Sequence, residues 1–172
     1  MPKLLILCAL EEELPPQHNP YSDFTTYTGI GKVNATIHAL NGIYSLKPDT
    51  IINFGTAGAC SKDISGLIEC GIFSDRDDTS KFNEKFITTS PSLSHLSTGD
   101  NFVTSVVPDC DIVDMEGYAI AKVCSLNNIN FKCFKYITDY VNQNSYKDWY
   151  NNVSKGYPLF LEKVNDYFKN PV

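Results

Sequence analysis

Acidic side chains dominate the residues of this chain that could carry out chemistry, and they occur in short polar segments. Residues 11–13 are three consecutive glutamates, residues 114–116 (DME) contain two acids, and residues 138–139 (TD) contain one. A fourth segment, residues 55–59 (GTAGA), consists of small residues that let backbone groups approach a ligand closely. Carboxyl groups donate or accept protons and bind hydroxyl groups. Each segment by itself is also typical of a loop.

Each of these segments follows or closes an apolar run that predicts a strand. The runs are residues 4–9, 50–54, 112–114 and 131–138. The first two are continuously apolar, which is typical of parallel strands covered on both faces. Ligands of α/β folds bind beyond the carboxyl ends of the strands, so we expect the polar segments to meet there, with residues 55–59 forming a loop.

The rest of the chain alternates predicted strands and helices. Further strands are predicted at residues 67–73, 86–88 and 101–107, and helices at residues 33–46, 116–126 and 146–168, the last interrupted at residues 156–158. The first helix is predicted from apolar residues at helical spacing, namely Val33, Ile37, Leu40 and Tyr44. The alternation predicts one α/β domain, residues 1–172, with helices and a mixed central sheet in three α/β/α layers.

Charge and composition disfavour several classes of function. The 14 basic and 20 acidic residues give a net charge of -6, which argues against binding to nucleic acid or to an anionic membrane surface. No run reaches the about 18 apolar residues that a membrane span requires. Residues 4–10 are too short for a secretion signal and lead into glutamates rather than a cleavage site, so we expect a soluble, cytoplasmic protein.

No metal site or cofactor is predicted. The six cysteines form no CxxC pair and lie mostly in apolar runs, so we expect them to be reduced and buried. The three histidines, His18, His38 and His95, lie outside the polar segments and are expected to be surface or core residues.

Six segments, spread over most of the chain, follow one another in the order typical of a known superfamily. They are residues 8–13 (CALEEE), 28–34 (TGIGKVN), 47–59 (KPDTIINFGTAGA), 97–103 (STGDNFV), 113–124 (VDMEGYAIAKVC) and 137–139 (ITD). With these segments the chain resembles the purine nucleoside phosphorylase and nucleosidase superfamily, most closely the 5'-methylthioadenosine/S-adenosylhomocysteine nucleosidases. Several spaced segments in order are more specific than any single one. The resemblance implies a nucleoside phosphorylase-like fold, no cofactor, a homodimer and a place in purine salvage.

The resemblance implies cleavage of the bond between ribose C1' and a purine nitrogen. In the transition state, positive charge grows on the sugar while negative charge flows into the departing base. By resemblance, Asp139 donates a proton to the purine ring, a role that requires a raised pKa. Glu116 binds the ribose hydroxyls, and Glu13 is the general base for the attacking water. If residues 11–13 are extended, Glu11 shares a side with Glu13 and is the alternative base.

The resemblance also implies a set of substrate-binding residues, which are Thr56, Ala57, Gly58, Phe102, Asp114, Met115, Glu116, Lys135, Thr138 and Trp149. Met115 is expected against the sugar, and Trp149 in an aromatic lid with Tyr146 and Tyr150. These three aromatic residues are equally compatible with the core stripe of an amphipathic helix. Lys135 stands where the superfamily usually has an arginine, and Asp114 where it has a glutamate.

Water is favoured over phosphate as the nucleophile, because phosphorylases of this superfamily hold phosphate with arginines. The one arginine, Arg76, lies between Asp75 and Asp77 and is expected in an external ion pair. The small-molecule partner is then an adenine nucleoside such as 5'-methylthioadenosine or S-adenosylhomocysteine. The alternatives are a phosphate-dependent phosphorylase and a nucleoside-binding or storage protein without turnover. Lys135 and the short segment of residues 14–26 support the last alternative.

Overall fold

The computed structural model of the chain describes residues 3–169, and the ends of the predicted domain, residues 1–2 and 170–172, lie outside the described part. In residues 3–169 the strands are β1 (Leu4–Cys8), β2 (Thr25–Tyr27), β3 (Thr50–Ala59), β4 (Leu67–Asp75), β5 (Phe86–Thr88), β6 (Ser94–Thr98), β7 (Ile112–Asp114) and β8 (Asn130–Tyr140). The helices are α1 (Lys32–Leu46), α2 (Gly117–Asn127), α3 (Ser145–Asn152) and α4 (Tyr157–Lys169). Of these helices, none combines the length and apolar character needed to cross a bilayer.

The strands form one mixed sheet. Parallel pairs join β1 to β2 and β3, β3 to β8, and β6 to β4 and β7. Antiparallel pairs join β3 to β7, and β4 to β5 and β8. The pairings close a ring of strands in the order β3, β7, β6, β4 and β8. The predicted α/β fold class with a mixed sheet is confirmed.

Two apolar clusters cover the two faces of the sheet, because successive side chains of a strand point to opposite sides. Leu5 and Leu7 of β1 belong to one cluster, together with Ala35 of α1 and residues of α2. Ile6 belongs to the other cluster, in which the Phe160 side chain of α4 is fully buried. Helices therefore cover both faces, in the predicted three layers.

The helix α1 forms where it is predicted, but of the four residues that predicted it only Leu40 packs against the core. Val33, Ile37 and Tyr44 are exposed. The buried face consists of the small residues Ala35, Ala39 and Gly42. A methyl group at Gly42 would collide with Leu5 of the sheet, so small side chains bring the helix axis close to the strands. This leaves the apolar stripe of α1 open to solvent.

Two predictions of local structure are wrong. Residues 55–59 continue β3 instead of forming a loop, because their backbone pairs with β7 on one side and β8 on the other. Residues 101–107 form no strand, and the strand of this region is β6, at Ser94–Thr98. The polar sequence of β6 (SHLST) does not alternate like a strand, but β4 and β7 supply hydrogen-bonding partners on both sides.

Candidate active site

A cleft of about 700 Å³ collects all of the predicted site residues except Lys135 and Thr138. Its lining residues are Ala9, Leu10, Glu13, Ile30, Thr56, Ala57, Gly58, Arg76, Asn101, Phe102, Val103, Val113, Asp114, Met115, Glu116, Asp139, Tyr146 and Trp149. Glu13, Glu116 and Asp139, which are far apart in sequence, therefore share one cleft.

Glu13 is the buried member of the three consecutive glutamates. Residues 11–13 form a turn, closed by the hydrogen bond from Glu13 N to Leu10 O (3.2 Å), so the alternative based on an extended segment does not hold. Glu11 and Glu12 are exposed. The Glu13 Oε1 atom accepts hydrogen bonds from Thr56 N (2.8 Å) and the Thr56 hydroxyl (2.7 Å), and Oε2 accepts one from Leu10 N (3.1 Å). These donors fix the carboxylate at the cleft.

Glu116 lies just before α2, and its side chain is buried. Its Oε1 atom accepts a hydrogen bond from Gly31 N at 2.9 Å, so the turn before α1 holds it in place. Burial raises the pKa of Glu116 to about 8, and the nearby negative charge of Asp114 adds to the rise against the opposing charge of Lys135. Burial therefore favours the protonated form of the Glu116 carboxyl group.

Asp114, which lines the cleft, forms a buried ion pair with Lys135. Lys135 Nζ lies 2.8 Å from Asp114 Oδ2, and the two side chains are 1% and 0% exposed. Burial alone would lower the pKa of Lys135, but the charge of Asp114 outweighs it and raises the pKa. Asp114 also accepts hydrogen bonds from the Thr98 hydroxyl (2.6 Å) and Gly117 N (2.8 Å). Lys135 does not line the cleft, because its ammonium group is directed at this carboxylate.

Asp139 lies at an irregularity in the pairing of β8 with β3. Ala57 pairs with Ile137 and Gly58 with Asp139, so Thr138 is the extra residue of a β-bulge. The Thr138 hydroxyl bonds to Asp139 Oδ1 at 2.9 Å and does not line the cleft. A Cβ atom at Gly58 would lie 2.9 Å from Asp139 Oδ2, so the glycine makes room for the carboxyl group. Burial raises the pKa of Asp139.

The prediction that Arg76 forms an external ion pair is wrong. Asp75 and Asp77 instead bind the ammonium group of Lys32, at 2.8 and 2.9 Å. The Arg76 guanidinium donates to four main-chain carbonyls, those of Ser97 (2.7 Å), Asp114 (2.8 Å), Gly99 (3.2 Å) and Asn101 (2.7 Å). The sequence carries no local signal for this role, since the carbonyl acceptors come together only through the pairing of β4, β6 and β7.

Three aromatic side chains, Phe102, Tyr146 and Trp149, form the aromatic wall of the cleft. Their ring centroids are separated by 5.9 Å (Phe102 to Tyr146), 6.5 Å (Phe102 to Trp149) and 5.8 Å (Tyr146 to Trp149). Tyr150, which was expected beside them, is 70% exposed and does not line the cleft. The Trp149 Nε1 atom donates a hydrogen bond to the Thr56 hydroxyl oxygen at 2.9 Å.

Four of the six cysteines are buried, as expected, but Cys60 and Cys110 are half-buried. Their sulfur atoms lie 3.6 Å apart, where the end of β3 meets the segment before β7. A hydrogen bond from Cys110 lowers the pKa of Cys60 to about 7. Within residues 3–169 no group of three or more His, Cys, Asp or Glu side chains is arranged to hold a metal ion.

Comparison with known proteins relates the chain to one superfamily. Residues 98–164 match the family model described as the Phosphorylase superfamily. A curated relative is the 5'-methylthioadenosine/S-adenosylhomocysteine nucleosidase of Staphylococcus aureus strain JH9, which is 28% identical in an alignment 177 residues long. The alignment covers 81% of this chain and 74% of the relative.

Solved structures of similar fold agree with this match. The Helicobacter pylori 5'-methylthioadenosine/S-adenosylhomocysteine nucleosidase with butyl-thio-DADMe-Immucillin-A has a TM-score of 0.84 at 21% identity, covering 96% of this chain and 98% of that chain. The Streptococcus pneumoniae MTA/SAH nucleosidase with 8-aminoadenine has a TM-score of 0.84 at 19% identity, covering 97% and 99%. The matches confirm the resemblance that the six sequence segments indicate.

Proposed function

We propose, because residues 98–164 match the phosphorylase superfamily and the fold is similar to that of solved nucleosidases, that the chain is an N-ribosyl purine nucleosidase. It would hydrolyse the glycosidic bond of an adenine nucleoside, such as 5'-methylthioadenosine or S-adenosylhomocysteine, and release the free base. One observation carries the proposal: the buried side chains of Glu13, Glu116 and Asp139 line a single cleft. Relatives named as nucleosidases of these two substrates support the choice of substrate.

Asp139 is the proposed general acid toward the base. Burial raises its pKa, which favours the protonated carboxyl group that this role requires. The departing purine gains negative charge, and a proton delivered to its ring nitrogen stabilises it as a leaving group. A carboxyl group that donates to the ring nitrogen can also accept a hydrogen bond from an exocyclic amine, which favours adenine over a 6-oxopurine.

Glu13 and Glu116 are proposed to act on the sugar side. Glu13 accepts hydrogen bonds from two backbone amides, which hold its carboxylate at the cleft in position to act as a base for water. Glu116, with its pKa raised to about 8 by burial, can donate a hydrogen bond to one ribose hydroxyl and accept one from another. Met115 lines the cleft beside Glu116 and provides an apolar surface for the sugar.

Water is the proposed nucleophile because the cationic groups near the cleft are already engaged. Arg76 is the one basic side chain among the lining residues in the described part of the chain, and four carbonyls occupy its guanidinium. Lys135 is paired with Asp114. Phosphate would compete with these partners, and a displaced carbonyl or the buried carboxylate would lose its hydrogen bond.

The test is incubation of the protein with methylthioadenosine, adenosylhomocysteine, adenosine and inosine, with and without phosphate, while free base is followed. We expect adenine release at the same rate in both buffers, and little release of hypoxanthine from inosine. Base release that requires phosphate would indicate a phosphorylase. Tight binding of the nucleosides without any free base would indicate a binding or storage protein.

A homodimer is also proposed, formed through the exposed stripe of α1. Val33, Ile37 and Tyr44 lie opposite the helix face that packs on the sheet, and Ile30, just before α1, lines the cleft. An exposed apolar stripe is typical of a protein interface. We expect sedimentation to give a dimer that Ile37→Glu converts to a monomer, while the exposed control Leu126→Glu on α2 leaves it intact. A dimer that survives Ile37→Glu would refute this interface.

A further inference from the structure

The chain has a single tryptophan, and its side chain contacts two parts of the site at once. The ring of Trp149 belongs to the aromatic wall of the cleft. Its indole nitrogen donates to the Thr56 hydroxyl oxygen at 2.9 Å, across from α3 to β3. The Thr56 hydroxyl in turn lies 2.7 Å from Glu13 Oε1. Trp149 is thus two hydrogen bonds away from the proposed base.

The chemistry of the three groups fixes the direction of this chain of hydrogen bonds. An indole N–H donates only, and an ionised carboxylate accepts only. The Thr56 hydroxyl oxygen must therefore accept from Trp149, and its single hydrogen is free only to donate to Glu13. Thr56 N donates to the same Oε1 atom at 2.8 Å, so both donors of Thr56 hold one carboxylate oxygen.

We propose that Trp149 is a positioning residue that orients the Glu13 base through the Thr56 hydroxyl. This inference rests on the proposed function and deepens it. With the indole N–H in place, the hydroxyl rotor has one favourable orientation, and the carboxylate is held where it meets water. Without it, the hydroxyl can rotate away and accept from solvent. Trp149, which forms part of the cleft wall, thus also positions the base that activates the attacking water.

The helix α3 is tied to β8 near the site, which keeps the indole in reach. Asn152 Nδ2, at the end of α3, donates to Thr138 O at 2.7 Å, beside the proposed acid Asp139. At the start of α3, the Ser145 hydroxyl donates to Tyr140 O at 3.0 Å. The position of Trp149 is therefore anchored to the strand that carries Asp139, while its indole nitrogen donates to Thr56 of β3, which in turn donates to Glu13.

The first test is the kinetics of Trp149→Phe, which keeps an aromatic ring and removes the N–H. We expect kcat to fall about tenfold, with KM changed by less than about threefold, since the lost hydrogen bond aligns the base and not the substrate. Tyr150→Phe, which alters an exposed aromatic residue of the same helix, is the control and should leave both constants unchanged. A rise in KM at unchanged kcat would show that Trp149 is only a wall, and would overturn the inference.

A double-mutant cycle tests whether the effect runs through Thr56. Thr56→Val removes the hydroxyl, so adding Trp149→Phe to it should lower kcat no further. Adding Trp149→Phe to Thr56→Ser, which retains a hydroxyl, should still lower kcat about tenfold. Losses that multiply independently in the Thr56→Val background would overturn the inference.

The fluorescence of Trp149 tests the contact without turnover. Loss of the hydrogen bond from the indole N–H shifts its emission to shorter wavelength, so Thr56→Val should shift the emission and Thr56→Ser should not. An unchanged emission in Thr56→Val would overturn the inference. Wild-type protein that releases no base refutes the proposed function, and with it any role of Trp149 in turnover. Base release by the wild type at a kcat that Trp149→Phe does not change refutes the inference alone.

Discussion

Replacement of Lys135 by methionine is expected to destabilise the protein strongly. Lys135→Met keeps a side chain of similar length and removes the ammonium group that lies 2.8 Å from Asp114 Oδ2. Asp114 would keep its hydrogen bonds from Thr98 and Gly117 but would be a fully buried carboxylate without a cation. Removing one partner of a buried ion pair costs about 3–5 kcal/mol. A cost of this size is a large fraction of the about 5–15 kcal/mol by which a domain is stable.

The matched control is Lys132→Met on the same strand. Lys132 Nζ lies 3.9 Å from Glu69 Oε1, and the two side chains are 32% and 37% exposed. Solvent screens such a pair, and its loss is expected to cost about 0–1 kcal/mol. The two ion pairs differ in burial, so the difference between the variants reports the cost of leaving a buried charge without its partner.

The free energy of unfolding in urea, followed by Trp149 fluorescence, is the measurement. We expect Lys135→Met to lose at least about 2 kcal/mol more than Lys132→Met. Adding Asp114→Asn to Lys135→Met should recover part of the loss, because a buried neutral amide replaces the buried charge. Equal costs for the two lysine variants, or a double variant less stable than Lys135→Met alone, would refute the reasoning.

Three further predictions concern the site and its surroundings. Asp139→Asn should lower kcat by about 100-fold or more while a non-reacting adenosine analogue still binds, because the proton is needed mainly in the transition state. Asp166→Asn, which alters an exposed aspartate of α4, is the control, and equal loss of binding and turnover would contradict the assigned role. Because burial raises the pKa of Glu116 from 4.5 to about 8, the folded protein retains a proton that the unfolded chain releases, so this contribution to stability is lost as the pH rises through that range. Urea unfolding at several pH values should therefore show a flatter pH dependence for Glu116→Gln, and an unchanged slope would exclude the effect. A mild peroxide should oxidise Cys60 and Cys110 to a disulfide, with both thiol hydrogens and one peroxide molecule ending as two waters. Mass spectrometry of non-reduced peptides would detect the bond, Cys110→Ser should abolish it, and oxidation of the buried cysteines instead would contradict the prediction.

The location of the site could be predicted from the sequence because its acids lie at the ends of recognisable strands. The apolar run of β1 leads into residues 11–13, and β7 leads into Glu116 before α2. Which glutamate turns inward was not predictable from alternation. Residues 11–13 form a turn, so Glu13 alone points to the cleft. A local pattern located the segment, and the turn geometry selected the residue.

Other features depend on contacts between distant segments, so the local sequence pattern does not predict them. Lys135 resembles any alternating cationic strand residue, and its burial follows from a carboxylate on a different strand. The small residues at the end of β3 are typical of a loop, but their backbone pairs with β7 and β8, so they continue the strand. The four carbonyls around Arg76 come from two segments, residues 97–101 and Asp114, that meet only in the folded chain.

The closed ring of β3, β7, β6, β4 and β8 has a mechanical consequence for recognition. Each of these strands is hydrogen-bonded on two sides within the described part of the chain, so none can shift without breaking two ladders. Thr56, Asp114 and Asp139 belong to strands of this ring, and their amide protons should be among the slowest to exchange. The aromatic wall of the cleft comes from segments outside the ring, which carry Phe102 and Trp149. Substrate preference can therefore diverge through these segments while the catalytic spacing underneath stays constant.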